Sequence, residues 1–243
     1  NNHANFLFNI YQYNDDTNFV SSPIKYSLTG AKVTSEDSYG TYNDQFQIQR
    51  GAKSEYRTAS DKVATLLGVD LRANYYENKT NIKESYCTRL NTAGTACYSD
   101  VYKVYAGTIT GDDETDENVL ALYGELKYVV SNDFAVTTNA RYDHISYDYN
   151  DILKNVKIDK SFDVGSYRLG GTYALDDKSS LYSNISTGFR TPSVSQMFAG
   201  DIDPTSTKVE SNHDLKPEIS YNYEIGVRGE NSLFEYDAAI FLI

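Results

Sequence analysis

The chain has 243 residues, of which 40% are hydrophobic, and it carries a formal net charge of −12. An acidic chain without a basic stripe does not displace counterions from phosphates, so this balance excludes a nucleic-acid partner. The mean hydropathy of −0.54 would suit a soluble protein, but a membrane β-barrel gives a similar average because half of each strand faces a polar lumen.

The first third of the chain predicts four strands. They cover residues 4–13, 25–34, 43–57 and 63–75. An Asn/Asp-rich stretch that ends at Pro23 separates the first two, because such residues break strand pairing. The fourth strand is the clearest, since its odd positions from Val63 to Tyr75 are mostly apolar and its even positions are mostly polar. We expect the apolar side to face outward and the polar side, with Asp70 and Arg72, to face inward.

Residues 77–117 show no usable periodicity, and we expect a long surface loop there, which a compact soluble domain seldom contains. The acidic run from Asp112 to Glu117 lacks the glycine and the terminal glutamate of an EF-hand, so we expect a solvated loop rather than a calcium site. Cys87 and Cys97 lie in the same segment, where they could stay free or pair outside the cytoplasm. A zinc site would need more ligands than this neighbourhood supplies.

Three hairpins follow, each with a short turn of polar residues. Their arms cover residues 119–130 with 134–149, 164–175 with 179–189, and 218–229 with 233–243. Long connections are expected at 77–117, 150–161 and 191–216. Tight turns and long connections therefore alternate, which predicts an antiparallel up-and-down meander of about ten strands with few and short helices.

Arg141 and Asp143 lie two positions apart in the first hairpin, so their side chains share the inner face. They could form an internal ion pair or contact a ligand, and the ion pair is the simpler interpretation. His144 points to the opposite face and is not expected to act in catalysis. The sequence contains no nucleophile elbow, phosphate-binding loop, dinucleotide fingerprint or zinc-protease motif. We therefore expect no enzyme activity, no cofactor and no metal site.

The last part of the chain contains the strongest pattern. In residues 218–229, apolar side chains alternate with polar ones such as Glu224 and Arg228. The apolar ones are Ile219, Tyr221, Tyr223, Ile225 and Val227. About ten residues of this kind is the length that a tilted strand needs to cross a membrane. The polar loop before this strand carries GFRTP at one end and NHDLKPE at the other.

The stretch GFRTPSVSQMF followed by NHDLKPEISYNYEIGVRG resembles the barrel motif of TonB-dependent outer-membrane receptors. That family commonly shows GFR-x-P, then N-P-x-L-K-P-E, then a strand with N-Y-E-x-G. It often has a hairpin ending in R-Y-D, as Arg141–Asp143 does here. The resemblance implies an all-β fold that is an incomplete segment of a transmembrane barrel of roughly 22 strands. Residues 1–243 would then be a partial barrel domain, without the plug domain and the C-terminal strands.

The resemblance also implies a function. Such a receptor binds a scarce nutrient and imports it with energy from the TonB system, which acts through the plug. The expected cargo is a ferric siderophore complex, and the alternatives are a haem receptor of the same family and a passive outer-membrane pore. The expected partners are outer-membrane lipid, an iron chelate or haem, and TonB. The protein would lie in the bacterial outer membrane with its loops extracellular, where Cys87 and Cys97 would form a disulfide.

By resemblance, the two motif segments form the ligand region. It comprises Phe189, Arg190, Thr191, Pro192, Asn212, His213, Asp214 and Leu215. Six charged residues are expected to face the lumen. They are Asp70, Arg72, Arg141, Asp143, Glu224 and Arg228. Haem receptors of the family place a histidine between the two segments as an axial iron ligand, and no histidine lies between Pro192 and Asn212 here. This departure favours the siderophore, and we expect His213 to pack at the base of the loop.

Overall fold

The strands of this protein form one large antiparallel sheet and two short ribbons. The computed structural model describes residues 3–20, 24–25, 38–87, 89, 91–93, 95–198 and 215–243. In chain order the strands are β1 (His3–Val20), β2 (Ile24–Lys25), β3 (Ser38–Tyr39), β4 (Thr41–Ala59), β5 (Val63–Ile82), β6 (Tyr86–Cys87), β7 (Lys103–Val104), β8 (Ile109–Val129), β9 (Phe134–Asp151), β10 (Val156–Ala174), β11 (Ser179–Arg190), β12 (Glu218–Glu230) and β13 (Glu235–Leu242). A short helix, α1 (Val194–Phe198), and a 3-10 helix at Asp100–Tyr102 accompany them. Among the described residues, no helix is both long and apolar enough to cross a membrane.

The large sheet has nine strands in the order β1, β4, β5, β8, β9, β10, β11, β12 and β13, each antiparallel to the next. The ribbons are β2 with β3 and β6 with β7. This order confirms the all-β meander, with nine sheet strands in the described part where about ten were predicted. There, β1 and β13 lie at opposite edges, so the sheet is open. Most of the predicted strand at 25–34 lies outside the described residues.

Several strands are longer than the sequence predicted, and the long extensions all lie towards the same edge of the sheet. The predicted loop at 77–117 is wrong in extent, because β5 and β8 extend into it and leave residues 83–108 as the connection. The predicted connection at 150–161 is also wrong, since β9 and β10 leave only residues 152–155 between them. β1 likewise runs through the Asn/Asp-rich residues 14–20.

The acidic run at the start of β8 is paired with β5 rather than free in a loop. Asp112 lies 3.3 Å from Lys79, and Asn78 donates a hydrogen bond of 3.0 Å to Asp113. Opposite charges and amides on neighbouring strands stabilise such pairs. A polar segment can therefore stay extended here, although neither of its faces shows an apolar pattern.

The two edges of the sheet differ in their connections. One edge, the turn rim, carries the tight turns at residues 60–62, 130–133, 175–178 and 231–234. The strand ends at the opposite edge, the loop rim, flank residues 21–40, 83–108, 152–155 and 191–217. The connections after β5 and β11 therefore leave from the same rim, as the alternation predicted.

Short polar side chains close the tight turns. Asn231 accepts hydrogen bonds from the backbone N–H groups of Leu233 at 2.9 Å and Phe234 at 3.0 Å. The backbone N–H of Lys178 donates to Asp176 at 2.8 Å, and this bond to the charged carboxylate lowers the pKa of Asp176. Side chains of this kind replace backbone partners in turns, which is why the sequence located these turns correctly.

The two faces of the large sheet differ in character. The outer face carries an exposed apolar band, which fits contact with lipid chains. The band includes Phe6, Phe8, Ile10, Leu67, Val69, Leu71, Leu120, Leu122, Leu126, Leu169, Ile185 and Ile225. The inner face carries most of the charges and also a buried apolar cluster. The cluster consists of Val119, Ile145, Tyr147, Tyr149, Phe162, Val164 and Met197.

The connection between β5 and β8 holds a disulfide. Cys87 and Cys97 are bonded, with their Cα atoms 5.3 Å apart, which confirms the predicted disulfide. The guanidinium of Arg89 lies over the ring of Tyr98 at 4.3 Å and the ring of Tyr102 at 5.4 Å. These contacts and the disulfide tie the connection into a compact unit at the loop rim.

We expect the thiols of Cys87 and Cys97 to resist a membrane-impermeant maleimide on intact cells, because a disulfide has no nucleophilic thiolate. Both should become labelled after treatment with a reductant. A full-length variant with both residues changed to Ser is the control for background labelling. Labelling of the untreated wild type above that background would contradict the bond.

Candidate ligand-facing site

A charged network lies at the centre of the inner face. Arg141 donates to Asp143 through three contacts of 2.7, 2.9 and 3.0 Å, and Asp143 is 1% exposed. Arg141 also reaches Asp70 on β5 at 3.4 Å. Strand β8 lies between β5 and β9, and its residue in register with Asp70 and Asp143 is Ala121. This small side chain leaves room for the guanidinium of Arg141. The sequence-based expectation of an internal ion pair thus agrees with the geometry.

A second set of charges joins this network at the turn-rim side. Glu55 is 3% exposed and contacts Lys53 at 2.8 Å, Arg57, and the hydroxyl of Tyr123, which donates at 2.7 Å. The ring of Tyr123 lies across Gly68, where a Cβ atom would overlap it, so the glycine makes room for the tyrosine. Arg141 lies 5.5 Å from the same ring.

Sequence reasoning missed Glu55 and its partners. Lys53, Glu55 and Arg57 alternate with other residues within the predicted third strand, so their shared face was visible in the sequence. The sequence did not show whether that face points inward or outward, because the strand lacks a clear apolar side. The match with Gly68 and Tyr123 depends on the register between β4, β5 and β8.

The six predicted lumen-facing charges form two separate groups. Asp70, Arg141 and Asp143 are joined as described, and Arg72 lies 3.8 Å from Asp70. Glu224 accepts from Asn184 at 2.5 Å. The second group continues with Arg228, which donates to Ser180 at 3.4 Å and lies over the ring of Tyr182 at 5.4 Å. All six lie on the inner face, and that this face lines a lumen remains a prediction.

The GFRTP segment folds onto the inner face through helix α1. Met197, the fourth of the five residues of that helix, is 2% exposed and belongs to the buried apolar cluster. Phe189 and Leu215 pack against the same cluster from the two ends of the motif region. The hydroxyl of Thr191 lies 3.3 Å from that of Tyr147, and Pro192 is buried. The cluster therefore holds Phe189, α1 and Leu215 to one wall.

The ends of the two motif segments are neighbours in the fold. Arg190 at the end of β11 is in register with Glu218 at the start of β12. A cavity of about 50 Å³ lies between the segments and is too small for a metal chelate. Asn212, His213 and Asp214 lie outside the described residues. In the described part of the chain, the space between the two segments is therefore too small to enclose a ligand of that size.

The inner face near the loop rim is rich in tyrosine, amide and carboxylate groups. Asn74 donates to Glu117 at 2.6 Å, and the hydroxyl of Tyr147 donates to the same carboxylate at 3.0 Å. Aromatic rings and hydroxyl groups can stack on and hydrogen-bond to a polar ligand. Within the described part of the chain, no group of three or more His, Cys, Asp and Glu side chains could hold a metal ion. This wall is therefore polar and rich in hydrogen-bonding groups.

Comparison with known proteins agrees with this geometry. The family model described as TonB dependent receptor-like, beta-barrel, matches residues 1–243. Similar solved structures include the copper transporter OprC (14% identity, TM-score 0.69), the ferric citrate transporter FecA (16%, 0.64) and the ferric yersiniabactin uptake receptor FyuA from Yersinia pestis (15%, 0.60). Each alignment covers 97% of this chain but 35%, 31% and 33% of those chains, respectively. The chain thus spans about a third of their length, and the likeness shows the shared fold.

Proposed function

The chain belongs to the TonB-dependent receptor family, and from this membership we propose that it is the ligand-facing part of a receptor that actively imports a ferric siderophore. The observation that carries the proposal is the family match over residues 1–243. The family is located in the bacterial outer membrane. The exposed apolar band supports this location, since strands of this kind present apolar side chains to lipid. The role is transport, not catalysis.

The inner face supports a binding role rather than a simple channel. A passive pore needs charged rings around open water, whereas this wall holds a helix and two motif segments against a buried apolar cluster. We place the loop rim outside the cell and the turn rim in the periplasm, following the usual division between long loops and short turns. Energy would reach the barrel from TonB through a plug domain.

The siderophore is favoured over haem by the motif region. A haem receptor needs an axial ligand, commonly histidine, and residues 193–211 contain none. Arg190, which is exposed at the edge of the motif, can offer a fixed positive charge to an anionic chelate. The related solved structures include proteins named for ferric citrate, ferric yersiniabactin and copper, so the class of cargo needs a direct test.

We expect an iron-starved host that carries the full-length gene to grow on at least one ferric siderophore from a panel. Growth should stop when TonB is removed, because active import depends on its energy while a passive pore does not. Growth without TonB at the same rate would contradict active transport.

The same host separates siderophore from haem. Growth on haem alone, abolished by His213→Ala, would contradict the siderophore assignment. The matched control is His144→Ala, since His144 lies on the outer face, where its Nδ1 is 2.8 Å from Asp163. That substitution should leave growth on every iron source unchanged.

A further inference from the structure

Arg72 lies on the inner face of β5 with its hydrogen-bonding capacity unused. Its Nε atom is buried and has no hydrogen-bond acceptor among the described residues. The carboxylate of Asp70 lies 3.8 Å from this atom, which is too far for a hydrogen bond. The side chain as a whole is 38% exposed, so the guanidinium is open on the side of the lumen wall. A buried donor without an acceptor is rare and costs free energy, so its presence here needs an explanation.

The strands on either side of Arg72 explain why its guanidinium is not hydrogen-bonded. In the same register row, β4 contributes Gly51 and β8 contributes Val119. Gly51 has no side chain, and the ring of Tyr11 lies across it, where a Cβ atom would overlap the ring. Val119 is 4% exposed and belongs to the apolar cluster that includes Met197. The row therefore provides an aromatic ring on one side and an apolar wall on the other, and neither can accept a hydrogen bond from Nε.

The carboxylates in the adjacent rows restrict how an anion can reach Arg72. Towards the turn rim, Asp70 is shared with Arg141, which lies 3.4 Å from it. Towards the loop rim, Glu117 accepts a hydrogen bond of 2.6 Å from Asn74. Both carboxylates repel a second anion at short range. An anion can therefore approach the guanidinium only from the open side of the inner face, between these two rows.

We propose that Arg72 binds a carboxylate of the imported ferric chelate, so that the receptor selects siderophores of the carboxylate class. This inference rests on the proposed import function and names the chemical class of its cargo. A guanidinium and a carboxylate are both planar and pair through two parallel hydrogen bonds. Hydroxamate and catecholate chelates direct their oxygen atoms at the iron, whereas a carboxylate chelate can present a carboxylate group with a free edge. That edge matches the unused donors of Arg72, and the ring of Tyr11 provides a flat surface beside it.

Chemical labelling of the wild-type, full-length receptor in detergent tests this assignment. Phenylglyoxal modifies free guanidinium groups, and mass spectrometry of the digested protein locates the modified residues. We expect Arg72 to be modified and Arg141 to resist, since Arg141 is bound to Asp143 by contacts of 2.7, 2.9 and 3.0 Å. Ferric citrate should protect Arg72. The ferric complex of desferrioxamine B, a trihydroxamate without a carboxylate, should not protect it at the same concentration.

Three variants measure the contribution of Arg72 to binding of ferric citrate by isothermal titration calorimetry. Arg72→Gln should weaken binding about tenfold or more, because charge-assisted hydrogen bonds are lost. Arg72→Lys should recover only part of the affinity, since an ammonium group cannot form the two parallel bonds. Arg50→Gln is the matched control, because Arg50 on β4 is exposed and alternates with Gly51, so that its side chain points to the outer face. It should bind ferric citrate as the wild type does.

Several outcomes would overturn the proposal. If phenylglyoxal left Arg72 unmodified in the full-length receptor, another part of the protein would already occupy the guanidinium. Absence of protection by ferric citrate, equal protection by the two complexes, or unchanged binding in Arg72→Gln would each contradict a carboxylate site. Protection by inorganic phosphate as strong as that by ferric citrate would overturn the choice of carboxylate. All of these results are read from labelling and binding, so they are distinct from the growth test of import.

Discussion

The substitution Asp143→Ala should lower the free energy of unfolding of the full-length barrel by about 3 kcal/mol, because it leaves the Arg141 guanidinium without its main partner. The Asp143 side chain is 2% exposed and that of Arg141 is 31% exposed, so water replaces the lost carboxylate only in part. Asp70, at 3.4 Å, keeps a weaker contact with Arg141. Urea unfolding in detergent micelles, followed by circular dichroism, measures the change.

Two further variants show whether this loss comes from an unpaired charge. Arg141→Leu together with Asp143→Ala should recover much of the stability, since neither charge of the pair is left without the other, and Asp70 keeps Arg72 at 3.8 Å. Glu230→Ala breaks the exposed pair with Lys178, whose atoms lie 3.3 Å apart, and should cost no more than about 0.5 kcal/mol. A double variant as unstable as Asp143→Ala alone would contradict the electrostatic explanation.

The substitution Met197→Ala should release helix α1 from the inner face. Met197 is 2% exposed against the apolar cluster that includes Val119, Ile145 and Phe162. Truncating a buried methionine costs about 2–5 kcal/mol because of lost burial and the cavity left behind. If the loss is local, backbone amides of residues 191–198 should exchange with deuterium roughly 100-fold faster, which corresponds to about 2.7 kcal/mol. Hydrogen exchange with mass spectrometry of the full-length protein measures it.

Met197→Leu is the matched control, since it conserves the volume of the side chain and should change exchange little. The strands β8 and β9 should keep their protection in both variants. If Met197→Ala left exchange of α1 unchanged, the packing of Met197 would not be what holds the motif region to the wall. An equal increase across the whole sheet would mean that the residue supports the barrel rather than this segment.

The sequence predicted strands best where one face contacts an apolar environment. In β5 the alternation of Leu67, Val69 and Leu71 with Asp70 and Arg72 specified both the strand and its two faces. Beyond the apolar band the same strand is mostly polar on both faces. Apolar and polar side chains therefore no longer alternate there, and the sequence gives no sign of a strand. This is why the extensions of β5 and β8 were predicted as a loop.

In the motif region, too, the sequence predicted one part and tertiary contacts decided the other. The resemblance of GFRTP and NHDLKPE to a receptor motif identified the family and joined Phe189 and Leu215 as one region. The docking of α1 was not predictable, because five residues are too few to show a helical period. Its contact through Met197 depends on Val119 and Ile145, which lie far away in the chain.

The sequence by itself determined the strand alternation, the tight turns, the apolar and polar faces of the sheet within the apolar band, and the family motif. Each of these is set by residues close together in the chain. Only the tertiary structure decided which charges meet. The pairing of Arg141 with Asp70 across Ala121, and of Glu55 with Tyr123 over Gly68, requires the register of three neighbouring strands. Register is fixed by contacts between distant segments, and a shift of one residue would turn every one of these side chains to the other face.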